Sequence, residues 1–322
     1  MSEQPLLEVK NLNITYRTER GFVSAVQDVS FTLPKGASIG LVGESGSGKS
    51  TIAMAVMRLL PPNARVTGQI IFNGTDLNAV NDRQLNRTWR WKQLSMVFQK
   101  SLSALSPVHR IGDQMHDVLH QHNPQLNESQ RRAKIDEVLN AVNLPQRVIR
   151  SFPFELSGGQ MQRTMIALGL ICNPPFVIFD EATTALDVIT QAQILDEVKR
   201  LKAAYNLTTM VISHDVGVIN ATTDIVAVLY GGQLMELAPR EAFFKDPQHA
   251  YSRALIDSVP SLYGPKRRIT GVSDWRTASS STVDQLRSDR PAEAADPNAM
   301  IEVGPGHFVR REGYLGALEV AS

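Results

Sequence analysis

The stretch Gly43-Glu44-Ser45-Gly46-Ser47-Gly48-Lys49-Ser50-Thr51 constrains this chain more than any other. It reads G-x-x-x-x-G-K-S-T, the pattern of a loop that cradles phosphate. The apolar run Ile39-Gly40-Leu41-Val42 before it has the character of a buried strand, and Ile52 to Leu60 after it reads as a helix. Glycines at Gly43, Gly46 and Gly48 let the backbone turn tightly and bring N–H groups, with Ser45 and Thr51 beside them, onto phosphate oxygens. The helix points the positive end of its dipole at the same anion. Lys49 is placed to reach the β- and γ-phosphates, and the Ser50 hydroxyl to ligate Mg²⁺. The alternative, a Gly/Ser loop with a chance lysine, has to be decided by the rest of the chain.

The 322 residues suffice for one large or two ordinary domains, and 43% hydrophobic residues are enough for a globular core. With 33 basic against 32 acidic residues, net charge +1, the chain offers no general electrostatic pull on nucleic acid. Cys172 is the single cysteine, which excludes an intrachain disulfide and any cysteine-based metal cluster. No basic n-region with an apolar h-region opens the chain, and no run of 18 apolar residues occurs; Asn173-Pro174-Pro175 stops the nearest approach, Met165 to Cys172. The expectation is a soluble, cytoplasmic protein that acts at a membrane only by docking on other subunits.

Alternation predicts strands over Leu6 to Tyr16, Val23 to Leu33 and Val66 to Phe72, the last closed by Asn73-Gly74. Gln114 to Ala167 reads as a mostly helical insert, with a cap at Asn127-Glu128-Ser129-Gln130. Phe176 to Phe179 and Thr209 to Ser213 are wholly apolar or nearly so, as buried parallel strands are, with a helix over Gln191 to Ala204 between them. Ile225 to Tyr230, Gly231-Gly232 and Gln233 to Leu237 predict a hairpin. Strands alternating with helices argue for an α/β core. Tyr263 to Asn298 is polar and reads as an extended linker or poorly ordered tail. Met300 to Val309 reads as one last strand or a docking segment.

Two further constellations carry chemistry. Phe176-Val177-Ile178-Phe179-Asp180-Glu181 ends a buried strand in two acids, with Asp180 placed to hold Mg²⁺ and Glu181 to polarise an attacking water. Leu156-Ser157-Gly158-Gly159-Gln160 opens a helix with a hydroxyl and small residues, a second anion site. The three motifs in this order resemble the ATP-binding-cassette (ABC) superfamily.

That resemblance, which covers Leu6 to Pro260, implies a P-loop NTPase cassette: a RecA-like core, an N-terminal antiparallel β subdomain and an α-helical signature subdomain. It divides the chain into an ATP-binding domain at 1–260, with the helical insert at about 100–168, and a partly irregular C-terminal extension at 261–322. Residue by residue, it implies that Tyr16 stacks on adenine and that Gln99, in Met96-Val97-Phe98-Gln99, contacts Mg²⁺ and the attacking water. Ala185-Leu186-Asp187 resembles the loop that crosses a dimer interface, and His214 the histidine that contacts the γ-phosphate. Ser157, Gly159 and Gln160 belong to a signature that faces the ATP of the opposite subunit.

Four blocks resemble the ATPases of peptide, nickel and opine importers, the oligopeptide and dipeptide permeases among them: Met57 to Pro61, Ala182 to Val188, Gln191 to Leu195 and His249-Ala250-Tyr251-Ser252-Arg253-Ala254-Leu255. Three departures stand out. Gln99 is followed by Lys100-Ser101 where the group often has Asp-Pro. Ala182 replaces a usual proline. The tail lacks the cysteines that hold an iron–sulfur cluster in many members, so none is expected.

The implied function is the ATP-hydrolysing subunit of an importer. Its expected partners are a second ABC ATPase subunit (identical or a paralogue), two transmembrane permease subunits and, indirectly, an extracytoplasmic solute-binding protein. The implied location is peripheral, on the cytoplasmic face of the inner membrane. The alternative from another class is a soluble ABC ATPase acting on nucleic acid or ribosomes; single-cassette length and near-neutral charge weigh against it. The importer-like blocks weigh against an exporter subunit. The tail from Tyr263 is regulatory, a docking segment or a passive extension.

Overall fold

The computed structural model describes residues 4–98, 104–182, 187–258, 296, 298–312 and 314. In chain order the strands are β1 (Leu7–Thr18), β2 (Gly21–Leu33), β3 (Ser38–Val42), β4 (Ala64–Phe72), β5 (Thr75–Asp76), β6 (Leu94–Val97), β7 (Phe176–Asp180), β8 (Thr208–Ser213), β9 (Ile225–Tyr230), β10 (Gln233–Pro239), β11 (Met300–Gly304) and β12 (His307–Arg310). The principal helices are α1 (Lys49–Val56), α2 (Ile111–His122), α3 (Glu128–Ala141), α4 (Gly158–Leu170), α5 (Val188–Tyr205), α6 (Val216–Thr222), α7 (Arg240–Lys245) and α8 (Ala250–Asp257).

Two sheets organise these elements. An antiparallel sheet has the order β2-β1-β4-β5, and the larger one the order β11-β12-β10-β9-β3-β8-β7-β6. Within the larger sheet β9, β3, β8, β7 and β6 are mutually parallel, while β10, β12 and β11 run on antiparallel. Residues of a parallel strand buried on both faces go alternately to two cores. Ile39, Leu41, Phe176, Ile178, Met210 and Ile212 join β1, β2, β4 and α1 in one core. Val42, Val177, Phe179, Val211, Val226 and Val228 join the helices α2 to α6 in the other. This architecture is the expected α/β cassette, with an antiparallel β layer and a helical layer on opposite faces of one mostly parallel sheet.

The turns follow from residue chemistry. Asn73 and Gly74 carry φ of +47° and +79°, and Gly231 and Gly232 +55° and +81°, the left-handed pair that a tight antiparallel hairpin demands. Asn127 caps α3 reciprocally with Gln130, the expected capping box. Two local expectations are corrected. The helix after the glycine loop ends at Val56 rather than Leu60, because Arg58 adopts φ +50° and its guanidinium donates to the Leu77 and Val80 carbonyls and to Asp82. Met300 to Val309 is not one strand: β11 and β12 form a hairpin that adds to β10. Of the tail expected from Tyr263 to Asn298, only residues 296 and 298 are described. Among the described residues, no helix is long and apolar enough to cross a membrane.

Candidate functional site

Strand β3 lies between β8 and β9, so its carboxyl end opens inside the parallel sheet, where open α/β sheets bind ligands. The glycine loop starts there. Gly43 has φ +149°, and a Cβ on it would lie 2.0 Å from the Leu229 carbonyl oxygen. Gly48 has φ +98°, and a Cβ on it would lie 2.6 Å from the Ala25 carbonyl oxygen. Both positions therefore admit only glycine; Gly46, at φ +80°, faces open space. Ser45 is exposed at the loop crest, and Ser50 and Thr51 stand in the first turn of α1.

Lys49 is 5% exposed, and its Nζ donates to the carbonyls of Gly43 and Glu44 at 2.8 and 2.6 Å and to Ser47 Oγ at 3.2 Å. Burial lowers the pKa of this ammonium, while Glu181, Asp180 and Glu44 oppose the shift. Ser50 Oγ donates to Asp180 Oδ1 at 2.9 Å, so the first turn of α1 meets the end of β7. Burial raises the Asp180 pKa, and the Ser50 hydrogen bond opposes it. A hydroxyl and a carboxylate side by side are hard oxygen donors of the type that Mg²⁺ takes together with phosphate.

Glu181 follows at once, with φ +46°, in a region that non-glycine residues seldom enter. Its N–H donates to Ile212 O at 2.9 Å, which ties it to β8. Its Oε1 lies 3.4 Å from His214 Nδ1, with the glutamate side chain 19% and the histidine 56% exposed. Lys49, Ser50, Asp180, Glu181 and His214 are thus gathered at the carboxyl ends of three neighbouring strands. Tyr16 lies on β1, half-buried and paired with Val23 and Ala64. Gln99, Ala185 and Leu186 lie outside the described residues. Asp187 accepts from the backbone N–H and the hydroxyl of Thr190 and so caps α5.

The turn at Ser157 is built differently. Ser157 Oγ accepts from Gln160 N at 3.3 Å and Gln160 Oε1 accepts from Ser157 N at 3.1 Å, a capping box that starts α4. Ser157 is exposed, and a Cβ on Gly159 would lie 3.0 Å from Thr190 Cγ2, at the start of α5. Among the described residues, neither Ser157 nor Gln160 hydrogen-bonds to the glycine loop.

A family model described as ABC transporter matches residues 26–184, a span that holds the glycine loop, the capping box and the two acids. The oligopeptide transport ATP-binding protein OppD of Haemophilus influenzae is 42% identical over 83% of this chain and 83% of its own length. The chain belongs to the ABC transporter family. Within that family, a dipeptide transport ATP-binding protein, DppD of Bacillus subtilis, is 37% identical over 97% of this chain and 93% of its own. A second family model, the C-terminal region of oligopeptide/dipeptide transporters, matches residues 235–281. Among solved structures, the ATP-binding cassette MJ0796, dimeric in a post-hydrolysis state with ADP and Pi, superposes with TM-score 0.65 at 26% identity, over 73% of this chain and 98% of that one. The ABC cassette described here is accordingly an ATP-binding, ATP-hydrolysing unit.

Sequence reasoning did not find two features of this cassette. One is the left-handed Glu181, which no local pattern announces. The other is Tyr251, whose hydroxyl accepts from the Glu44 N–H at 3.2 Å across 207 residues of sequence. Only its place in the importer-like block His249 to Leu255 marked it.

Proposed function

We propose that this chain is the energising subunit of an importer for peptides or related small solutes, paired with a second cassette and coupled to two separate permease subunits. A solute-binding protein outside the membrane would deliver the solute. The carrying observation is that the signature turn at Ser157 satisfies itself, is exposed, and makes no described hydrogen bond to its own chain's loop. Such a phosphate-shaped helix start suits the nucleotide of a second subunit. The names of the OppD and DppD relatives and the match at residues 235–281 support peptides as the solute class.

In this reading Lys49, Ser50 and the amides of Ser45 to Thr51, with Gly43, Gly46 and Gly48 shaping the turn, hold the phosphates. Tyr16 stacks on the adenine. Ser50 and Asp180 would hold Mg²⁺, with Gln99 beside them; bound there it would supply stabilisation of charge on the transferring phosphoryl group. Glu181, braced on β8, orients the water and accepts its proton, and His214 contacts the γ-phosphate. Ser157, Gly159 and Gln160 of each subunit close on the partner's nucleotide, so loss of the γ-phosphate reopens the pair. A cavity of about 450 Å³ lined by Met57, Leu59, Arg90, Trp91, Phe98 and Gln121 lies where core and helical insert meet, and we assign it to a permease element. The subunit would thus sit peripherally on the cytoplasmic face of the inner membrane.

Uptake of labelled short peptides by cells lacking the chain tests this. Uptake is expected to fall to background, to return with the parent chain, and not to return with Glu181→Gln. Undiminished uptake in its absence would overturn the peptide assignment.

A further inference from the structure

The Glu44 peptide, in the crest of the nucleotide loop, is gripped on both sides. Its carbonyl accepts from Lys49 Nζ at 2.6 Å, and its N–H donates to Tyr251 Oη at 3.2 Å. The lysine belongs to the loop; the tyrosine comes from α8, after the last strand of the parallel core. Tyr251 is fully buried, and burial pushes its pKa up to about 12, so the phenol stays neutral and its oxygen remains an acceptor.

The position of that oxygen is fixed from behind. The Tyr251 ring packs on Tyr230, centroids 4.7 Å apart, at the end of β9. Its backbone N–H donates to His249 Nδ1 at 3.0 Å, which leaves Nε2 to carry the proton that His249 donates to Glu312 O at 2.6 Å. The buried Glu236 of β10 accepts from the Gln248 and His249 N–H groups at 2.9 and 3.0 Å and from His307 Nε2 of β12 at 2.7 Å. Every link from the C-terminal hairpin to the Glu44 peptide is therefore a buried or half-buried hydrogen bond with a named donor.

We infer that Tyr251 is a positioning residue for the nucleotide loop: its hydroxyl holds the Glu44 peptide, and through it the carbonyl that seats Lys49, in the phosphate-binding arrangement. Glu44 N–H is spent on Tyr251 and so is not one of the amides that meet the nucleotide. A loop already set in place spares the bound state the entropy of ordering it, which raises affinity alike for ground and transition states. The inference rests on the reading of Gly43 to Thr51 as the nucleotide loop.

Tyr251→Phe keeps the ring on Tyr230 and removes the hydroxyl that accepts from Glu44 N–H. Titration of the full chain with ATP is expected to show a Kd raised about five-fold, the size of one neutral hydrogen bond. KM for ATP is expected to rise with it while kcat holds, and the melting midpoint without nucleotide to move little. Parent-like ATP binding by Tyr251→Phe, alongside lost binding in Lys49→Ala, would overturn the inference and leave the loop reading intact. A lowered midpoint with unchanged Kd would likewise reduce Tyr251 to packing. Parent-like ATP binding by Lys49→Ala would overturn the loop reading and the inference with it.

Discussion

The two anion-shaped helix starts of this cassette, at Lys49 and at Ser157, are made from similar residues and are held in opposite ways. The first is anchored from far along the chain: Gly43 lies against β9, Ser50 against Asp180 of β7, and Glu44 against Tyr251 of α8. The second is held by its own first turn, Ser157 and Gln160 exchanging hydrogen bonds, and its serine faces solvent. A site that must hold a ligand through a cycle is built on rigid elements; a surface that must meet and leave a partner is finished locally and left open. Under the proposed pairing of two cassettes, the difference marks the half at Lys49 as the permanent one.

The comparison can be broken most severely at the acids. Glu181→Gln is expected to lower ATP hydrolysis by about a hundredfold or more, the usual range for a general base, while ATP-dependent pairing detected by size-exclusion chromatography is strengthened. Unchanged turnover would remove Glu181 from the role. Next in size, Lys49→Ala is expected to weaken ATP binding by the separate chain about a hundredfold, as loss of charged hydrogen bonds to phosphate does. Equilibrium titration reads this directly.

Acid should distinguish the two regions through His249. Burial lowers its pKa from 6.5 to about 4, so between those values the unfolded chain binds more protons than the folded one. Stability is therefore constant from this source above pH 6.5 and is lost as pH falls through the window, by about 3 kcal/mol at its lower end. Hydrogen exchange measured at pH 7 and pH 5 is expected to show α8 and the β11–β12 hairpin losing protection before α4. Equal loss in both would mean that the loop's distant anchoring is no more pH-sensitive than the local cap. The smallest effect belongs to Ser157→Ala. It should leave ATP binding by the separate chain within about two-fold, cost about 1 kcal/mol as a lost N-cap, and slow hydrolysis about tenfold. Binding that fell as far as hydrolysis would place Ser157 in its own chain's site.

Much of this was legible because it is local. A glycine-rich loop between an apolar run and a helix, short apolar runs that become buried parallel strands, and Asn-Gly or Gly-Gly turns are decided within about ten residues. The capping box at Asn127 is of the same kind. What was not legible depends on partners far away in sequence. The end of α1 is set by Arg58 reaching Leu77 and Val80, not by helix propensity. Met300 to Val309 reads as one strand or a docking segment because its turn at Gly304 to Gly306 lies inside a run that is apolar on average, and the edge of β10 that receives the hairpin is some seventy residues upstream. Within its block Tyr251 is one residue among seven; its hydroxyl meets Glu44 across 207 residues of chain.

The place of β3 in the sheet has a consequence for how the chain is made. Residue 43 leaves the ribosome early, but β3 gains its two neighbours only when β8 and β9 have been synthesised, at residues 208–213 and 225–230. Until then the most nucleotide-specific segment of the polypeptide is an unpaired apolar strand with two open edges, the kind of surface that aggregates or recruits a chaperone. Translation that stops short of β9 therefore yields a fragment that carries the whole glycine loop and has no completed sheet to present it from.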